Sequence, residues 1–109
     1  MAYDENLGLR IRTLLAGEHG LEEKKMFGGV GFLLNGNMAC GVHKDALIVR
    51  VGAEAYQTAL DENHSRPFDM TGRPMTGWVS VDPPGISSEE SLQEWVWQGL
   101  DFARSLPPK

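Results

Sequence analysis

Apolar side chains recur at every second position through the middle of the chain, in Val30, Phe32 and Leu34, then Met38, Cys40 and Val42, then Leu47, Val49 and Val51. That is the period of a strand with one buried face, and it predicts three consecutive antiparallel strands between Met26 and Val51. Asn35-Gly36-Asn37 supplies the first turn, since Asn and Gly tolerate the positive φ of tight hairpins. A three-residue loop there pairs Leu34 with Met38, Phe32 with Cys40 and Val30 with Val42. His43-Lys44-Asp45-Ala46 then sets Val42 opposite Leu47, Cys40 opposite Val49 and Met38 opposite Val51. Slipping a strand by one residue would carry its apolar set to the wrong face. The other face of the meander holds Gly29, Gly31, Leu33, Ala39, Gly41, Ile48 and Arg50. Glycines clustered in strands mark bulges or the close approach of a backbone, helix or ligand, with packing the plainer account.

Helical spacing of Leu7, Ile11, Leu14 and Leu15 predicts an amphipathic helix from Tyr3 to about Glu18, with Arg10, Arg12 and Thr13 on its far side. Asp4 suits the start of its dipole, and Gly17, His19 and Gly20 form the stop. Leu21 to Phe27 reads as a short edge strand on which Lys24 and Lys25 discourage edge-to-edge association. Ala55, Tyr56, Ala59 and Leu60 give a second helix of about two turns. Asp61 to Met75 reads as a breaker-rich loop, and Gly77 to Asp82 as a last strand that pairs with the meander and stops at Pro83-Pro84-Gly85. Ser87-Ser88-Glu89-Glu90 reads as a capping box with Ser87 at the cap. The closing helix turns Leu92, Trp95, Val96, Gly99, Phe102, Ala103 and Leu106 inward. The order α-β-β-β-β-α-β-α implies an α+β fold, a two-layer domain in which helices cover an antiparallel sheet.

At 109 residues the chain suits one domain spanning 1–109, large enough to bury roughly two-thirds of its unfolded surface. Ten basic against 15 acidic residues leave a net charge of -5, which disfavours nucleic acid unless the cations gather on one face, and they do not gather in sequence. A single cysteine excludes an internal disulfide framework. With no leader and no apolar run near ~18 residues, the expectation is a cytoplasmic chain without a membrane span.

The MFGGVGFLLNG run from Met26 to Gly36, the strand pair that follows to Val51, FDMTGRPMTGWVSVDP from Phe68 to Pro83 and the closing LPPK from Leu106 to Lys109 resemble the N-terminal domain of the TfoX/Sxy competence regulators. The likeness runs over nearly the whole chain. It implies a small α+β domain found in bacterial proteins, some of which regulate natural competence for DNA uptake. It implies no catalytic residue and no cofactor. The chain is read as a stand-alone domain, since the C-terminal domain of the full-length regulators does not follow Lys109.

The residues themselves offer little chemistry. His19, His43 and His64 fall in predicted turns or a loop and, with Cys40, match no metal-ligand spacing. Cys40 points into the core while His43, three residues on, faces the other way, so the two form no dyad. Gly28-Gly29-Val30-Gly31 lacks the phosphate-loop arrangement, and the acids Asp61, Glu62 and Asp69 have no spacing that brings them together. The expectation is therefore no catalytic, cofactor or metal site.

Surface recognition remains, with Gly29, Gly31, Arg50, Arg66, Arg73 and Trp97 as the candidate partner or ligand surface. Arg50 lies on the small-residue face, Arg66 and Arg73 in the long loop, and Trp97 with Leu100 off the main stripe of the last helix. Together they would make an aromatic anchor with a cationic rim; Trp97 packed under the loop is the plainer reading. The expected function is a non-enzymatic bacterial regulatory or adaptor protein, linked to competence or transcription, that contacts an unidentified protein partner. A homodimer is one form of that contact. The alternative is a small-molecule-binding domain or unrecognised enzyme whose floor is Gly29, Gly31, Ala39, Gly41 and Arg50.

Overall fold

Alternation of apolar residues closes one continuous sheet in the computed structural model, which describes residues 3–26, 28–69 and 72–109. In chain order the elements are α1 (Glu5–Leu14), β1 (Leu21–Met26), β2 (Gly29–Leu34), β3 (Asn37–His43), β4 (Ala46–Arg50), α2 (Tyr56–Leu60), β5 (Ser65–Asp69), β6 (Pro74–Val81), a 3-10 turn (Pro83–Ile86) and α3 (Glu89–Arg104). The six strands lie in the order β1-β2-β3-β4-β6-β5, every neighbouring pair antiparallel. The α+β fold and the pairing of the GW strand with the meander are as expected. Phe27, Met70 and Thr71, which belong to the motifs quoted above, lie outside the described residues.

One strand more than expected is present. β5 occupies part of the stretch read as a loop, because Pro67 looks like a breaker yet pairs opposite Val79 on the outermost strand of the sheet. Edge strands tolerate a missing amide that a central strand would need.

The first hairpin differs from the expectation in a way that shapes both faces. Asn35 and Gly36 both hold positive φ, 52° and 87°, as a two-residue turn of the I′ kind requires, so Leu34 faces Asn37 and Leu33 faces Met38. A register shift between Phe32 and Leu33 then restores the Phe32–Cys40 and Val30–Val42 pairs. Ala39 is the extra residue of this bulge. It is fully buried in the helix-side core and not on the glycine-rich face, and Met38 turns onto that face and does not stand opposite Val51. The second hairpin keeps its expected Val42–Leu47 and Cys40–Val49 pairs.

α1, α2, the 3-10 turn and α3 all contribute to one buried cluster with Phe32, Cys40, Val42, Leu47, Val49, Val79 and Val81. α1 is shorter than its apolar pattern and is capped by Asp4, which accepts from the Asn6 and Leu7 amides; α2 is a single short helix of five residues. Ser88, not Ser87, caps α3 and accepts from the Ser91 amide at 3.0 Å. The two prolines open the 3-10 turn and set the helix start one residue later. Arg10, read as water-facing, donates to the carbonyls of Ile86 (2.9 Å) and Ser88 (3.4 Å) and to Glu89, fastening α1 to the start of α3. The Arg12 guanidinium donates twice to Glu23 of β1 and holds that carboxyl below its ordinary range. Leu100, assigned to the surface above, is fully buried.

α3 crosses β3 at Gly99, where a Cβ would run into the Ala39 carbonyl oxygen. Gly-to-Ala inside a helix ordinarily gains ~1 kcal/mol. Here the collision decides the sign, and Gly99→Ala is expected to destabilise by about 1–3 kcal/mol through overpacking. Urea unfolding measures it against exposed Gln93→Ala, which should stay within about 0.5 kcal/mol of the parent.

Candidate functional site on the uncovered sheet face

Since the helices share one side of the sheet, the alternate side chains of every strand point to a face that no helix covers. The register draws one row across all six strands of that face, Lys24, Gly31, Gly41, Ile48, Ser80 and Arg66. The next row sets Arg50 beside Trp78.

Over this face lies an apolar groove of about 340 Å³, lined chiefly by Met26, Met38, His43, Ile48, Phe68, Met75 and Trp78. Its floor is low because two strand positions carry no side chain. A Cβ at Gly31 would stand 3.0 Å from the Met26 sulfur and 3.2 Å from the Met38 methyl, and one at Gly41 would stand 3.0 Å from that same methyl. The thioethers of Met26 and Met38 therefore lie flat on the sheet. Ile48 and Phe68 are only 3% and 8% exposed although neither belongs to the helix-side core. Phe68 packs edge-on to His43 with ring centroids 6.0 Å apart, and Trp78 lies 6.4 Å from Phe68.

At the groove's end the Arg50 guanidinium is held between two aromatic rings, 5.3 Å from the centroid of Trp78 and 5.3 Å from that of Phe102 on α3. Gly52, with φ 87°, gives Phe102 its place, since a Cβ there would enter the ring. Among the described residues no carboxylate pairs with Arg50, whereas Arg10, Arg12 and Arg66 each hold one and Arg104 holds two.

The residues singled out from sequence divide accordingly. Gly31 lies beneath the Met26 and Met38 side chains that line the groove, and Arg50 adjoins it through Trp78. Gly29 serves strand pairing, because a Cβ there would strike the Val42 carbonyl. Arg66 shares the face but is paired with Asp82 at 3.0 Å on the outer strand, and Arg73 is exposed between β5 and β6. Trp97 packs against the helix-side core, so the structure does not bring it to the arginines. Sequence reading missed Met26, Met38, His43, Phe68, Met75 and Trp78 as lining residues. Methionine and aromatic positions in a strand read as core, and only the bulge at Ala39 reveals that Met38 faces outward.

A larger cleft of about 440 Å³ separates α2 from α3, but its ionisable residues Glu62, His64 and Glu94 are all exposed and converge on nothing. No group of three or more His, Cys, Asp and Glu among the described residues could hold a metal ion. No helix among them is long and apolar enough to cross a membrane. Burial pushes the Cys40 thiol up to about 12, so it carries no thiolate near neutral pH. The chain's single thiol is accordingly expected to resist an aromatic disulfide reagent at about pH 8 in the native state and to react stoichiometrically once urea unfolds the protein. Rapid native labelling would contradict the buried placement.

A family model described as the TfoX N-terminal domain matches residues 13–103, a stretch that contains every groove residue and Arg50. No curated protein and no solved structure matches the chain.

Proposed function

The chain belongs to the TfoX N-terminal domain family, and from that premise we propose that it is a non-enzymatic regulatory or adaptor domain acting through protein contacts on its uncovered sheet face. The family connects it with competence regulation, and the setting we assign is cytoplasmic control of competence or transcription.

The observation that carries this reading is the groove itself. Apolar surface rimmed by polar groups marks interaction sites, and the lining here is the composition that interfaces favour, with Trp78 and Phe68 beside three methionines and Arg50 stacked next to Trp78. Methionine is suited to such a surface because its unbranched thioether re-packs against different partners at low cost. Among the described residues the groove offers no nucleophile with an adjacent base, and His43 is its single ionisable lining residue there.

A second reading, a small molecule seated over Gly31 and Gly41, is favoured by one feature, the groove's volume of about 340 Å³, within the range of ligand sites. Against it stands the shortage of polar groups to fix a ligand's orientation. A metabolite that binds only the native state raises the unfolding temperature by mass action, so a thermal-shift screen separates the two readings.

Met75, 38% exposed at the groove, is the position to test. Affinity capture from the native cells with the parent, Met75→Glu and the helix-side control Gln93→Glu is expected to recover specific proteins that are lost only with Met75→Glu. Unfolding midpoints should agree among the three. Recovery of the same proteins by all of them, or turnover of a small molecule abolished by one substitution, would sink the proposal.

A further inference from the structure

Arg50 is the half-buried arginine without a carboxylate among the described residues. Its ring contacts lie over the faces of Trp78 and Phe102, and such stacking compensates the charge but engages none of the edge donors. A guanidinium has five N–H donors in a rigid fork that matches a carboxylate, and holding it between two rings removes in advance the rotamer freedom such a pair would otherwise cost. Partial burial also lowers the local dielectric, so an ion pair formed there is stronger than one at a solvated rim.

Charge is distributed in the same sense. On the helix side Arg10, Arg12 and Arg104 are neutralised by Glu89, Glu23, Glu18 and Asp101. On the uncovered face Lys24, which lies opposite Gly31, and Arg50 have no acidic partner among the described residues, Glu22 sits out on the edge strand opposite Leu33, and Asp45 and Asp69 lie beyond His43 and Phe68 rather than beside Arg50. A chain of net charge -5 thus presents unpaired cations beside its apolar groove.

We propose that the groove takes an acidic amphipathic segment of a protein partner, one carboxylate of which pairs with the Arg50 fork while neighbouring apolar side chains settle over Gly31, Gly41 and Ile48. This rests on the protein-contact reading of the face and supplies the chemistry of the partner. The space of about 340 Å³ takes a few side chains and not a folded surface, which selects a linear segment. Nucleic acid is opposed by the net charge of -5, since the sequence-independent part of that affinity comes from cations that neutralise phosphates.

A random-peptide display library selected on the intact chain tests the assignment, with decanoate as the probe for a lipid-like carboxylate. Enriched peptides should carry Asp or Glu next to large apolar residues. The Kd of a labelled enriched peptide, read by fluorescence anisotropy, should rise about tenfold or more in Arg50→Met, which keeps the aliphatic stem but removes the charge. Arg50→Lys should recover only part of the loss, because it restores charge without the fork. Urea unfolding of each variant separates a lost contact from a lost fold. Peptides with no acidic preference, or with equal affinity for the parent and Arg50→Met, overturn the carboxylate pairing and leave the protein-contact reading standing. Failure to enrich any peptide whose binding Met75→Glu removes overturns both. Displacement of the peptides by decanoate in an Arg50-dependent manner, without acidic enrichment, reassigns the site to a lipid-like carboxylate and overturns the proposed occupant.

Discussion

The bulge at Ala39 is the constraint from which both faces of the sheet follow. An Asn-Gly turn of two residues fixes Leu34 against Asn37, and continuing that register unbroken would set Phe32 against Ala39 and throw the apolar set of β3 out of the core. One inserted residue repairs the pairing, so that Phe32, Cys40 and Val49 line up across three strands beneath α3. The repair has two side effects. Ala39 exposes its carbonyl to the helix layer at the place where Gly99 allows α3 to come close, and Met38 is delivered to the opposite face, where it covers Gly31 and Gly41. Core closure and the groove are products of a single local adjustment.

Glycine in a strand weakens it by roughly 0.5–1 kcal/mol relative to alanine, so its recurrence in β2 and β3 calls for a compensating contact at each site. Gly29 and Gly99 lie where a Cβ would meet a backbone carbonyl that cannot move. Gly31 differs, because the atoms in its way are the ends of the Met26 and Met38 side chains, whereas a Cβ at Gly41 would meet the Val30 carbonyl oxygen first and the Met38 methyl next. The smallness of Gly31 answers to what lies above the sheet, that of Gly41 to the facing strand as well, while Gly29 stays with the scaffold alone.

The legible part of the fold was the part governed by period. Alternation from Val30 to Val51 located three strands and their buried sides, and because Gly41 and Ile48 share the other parity, two lining residues of the groove were on the correct face as well. What failed did so where one residue altered the count. The bulge cannot be seen from alternation that is correct on both sides of it, and its invisibility hid Met38 and misplaced Ala39. Pro67 concealed β5, since a pattern carries no information about which strand will be outermost, and the Pro83-Pro84 pair moved the helix cap by opening a 3-10 turn first. Trp97 was misjudged for a different reason. Leu100 follows Val96 by four residues and precedes Ala103 by three, so the helical stripe itself takes it inside, and Trp97, one position past Val96, is partly buried at the margin of that stripe.

An uncovered apolar face invites self-association, and the chain counters it with several devices at once. Lys24 and Lys25 occupy one edge of the sheet and Pro67 the other, which blunts strand addition at both. Phe68 and the methionines fold over Ile48 so that Met75 is the one groove residue among the exposed large hydrophobics. Arg50 lies on Trp78 and takes the place of a hydrophobic neighbour that would otherwise make the end of the groove adhesive. On the proposed reading, a partner segment would meet this cover of methionine and phenylalanine side chains first. Thioethers move at small rotameric cost while the ring-clamped guanidinium stays where it is, so the adaptable part of the surface sets how the apolar residues are received and the rigid part sets which charge is admitted.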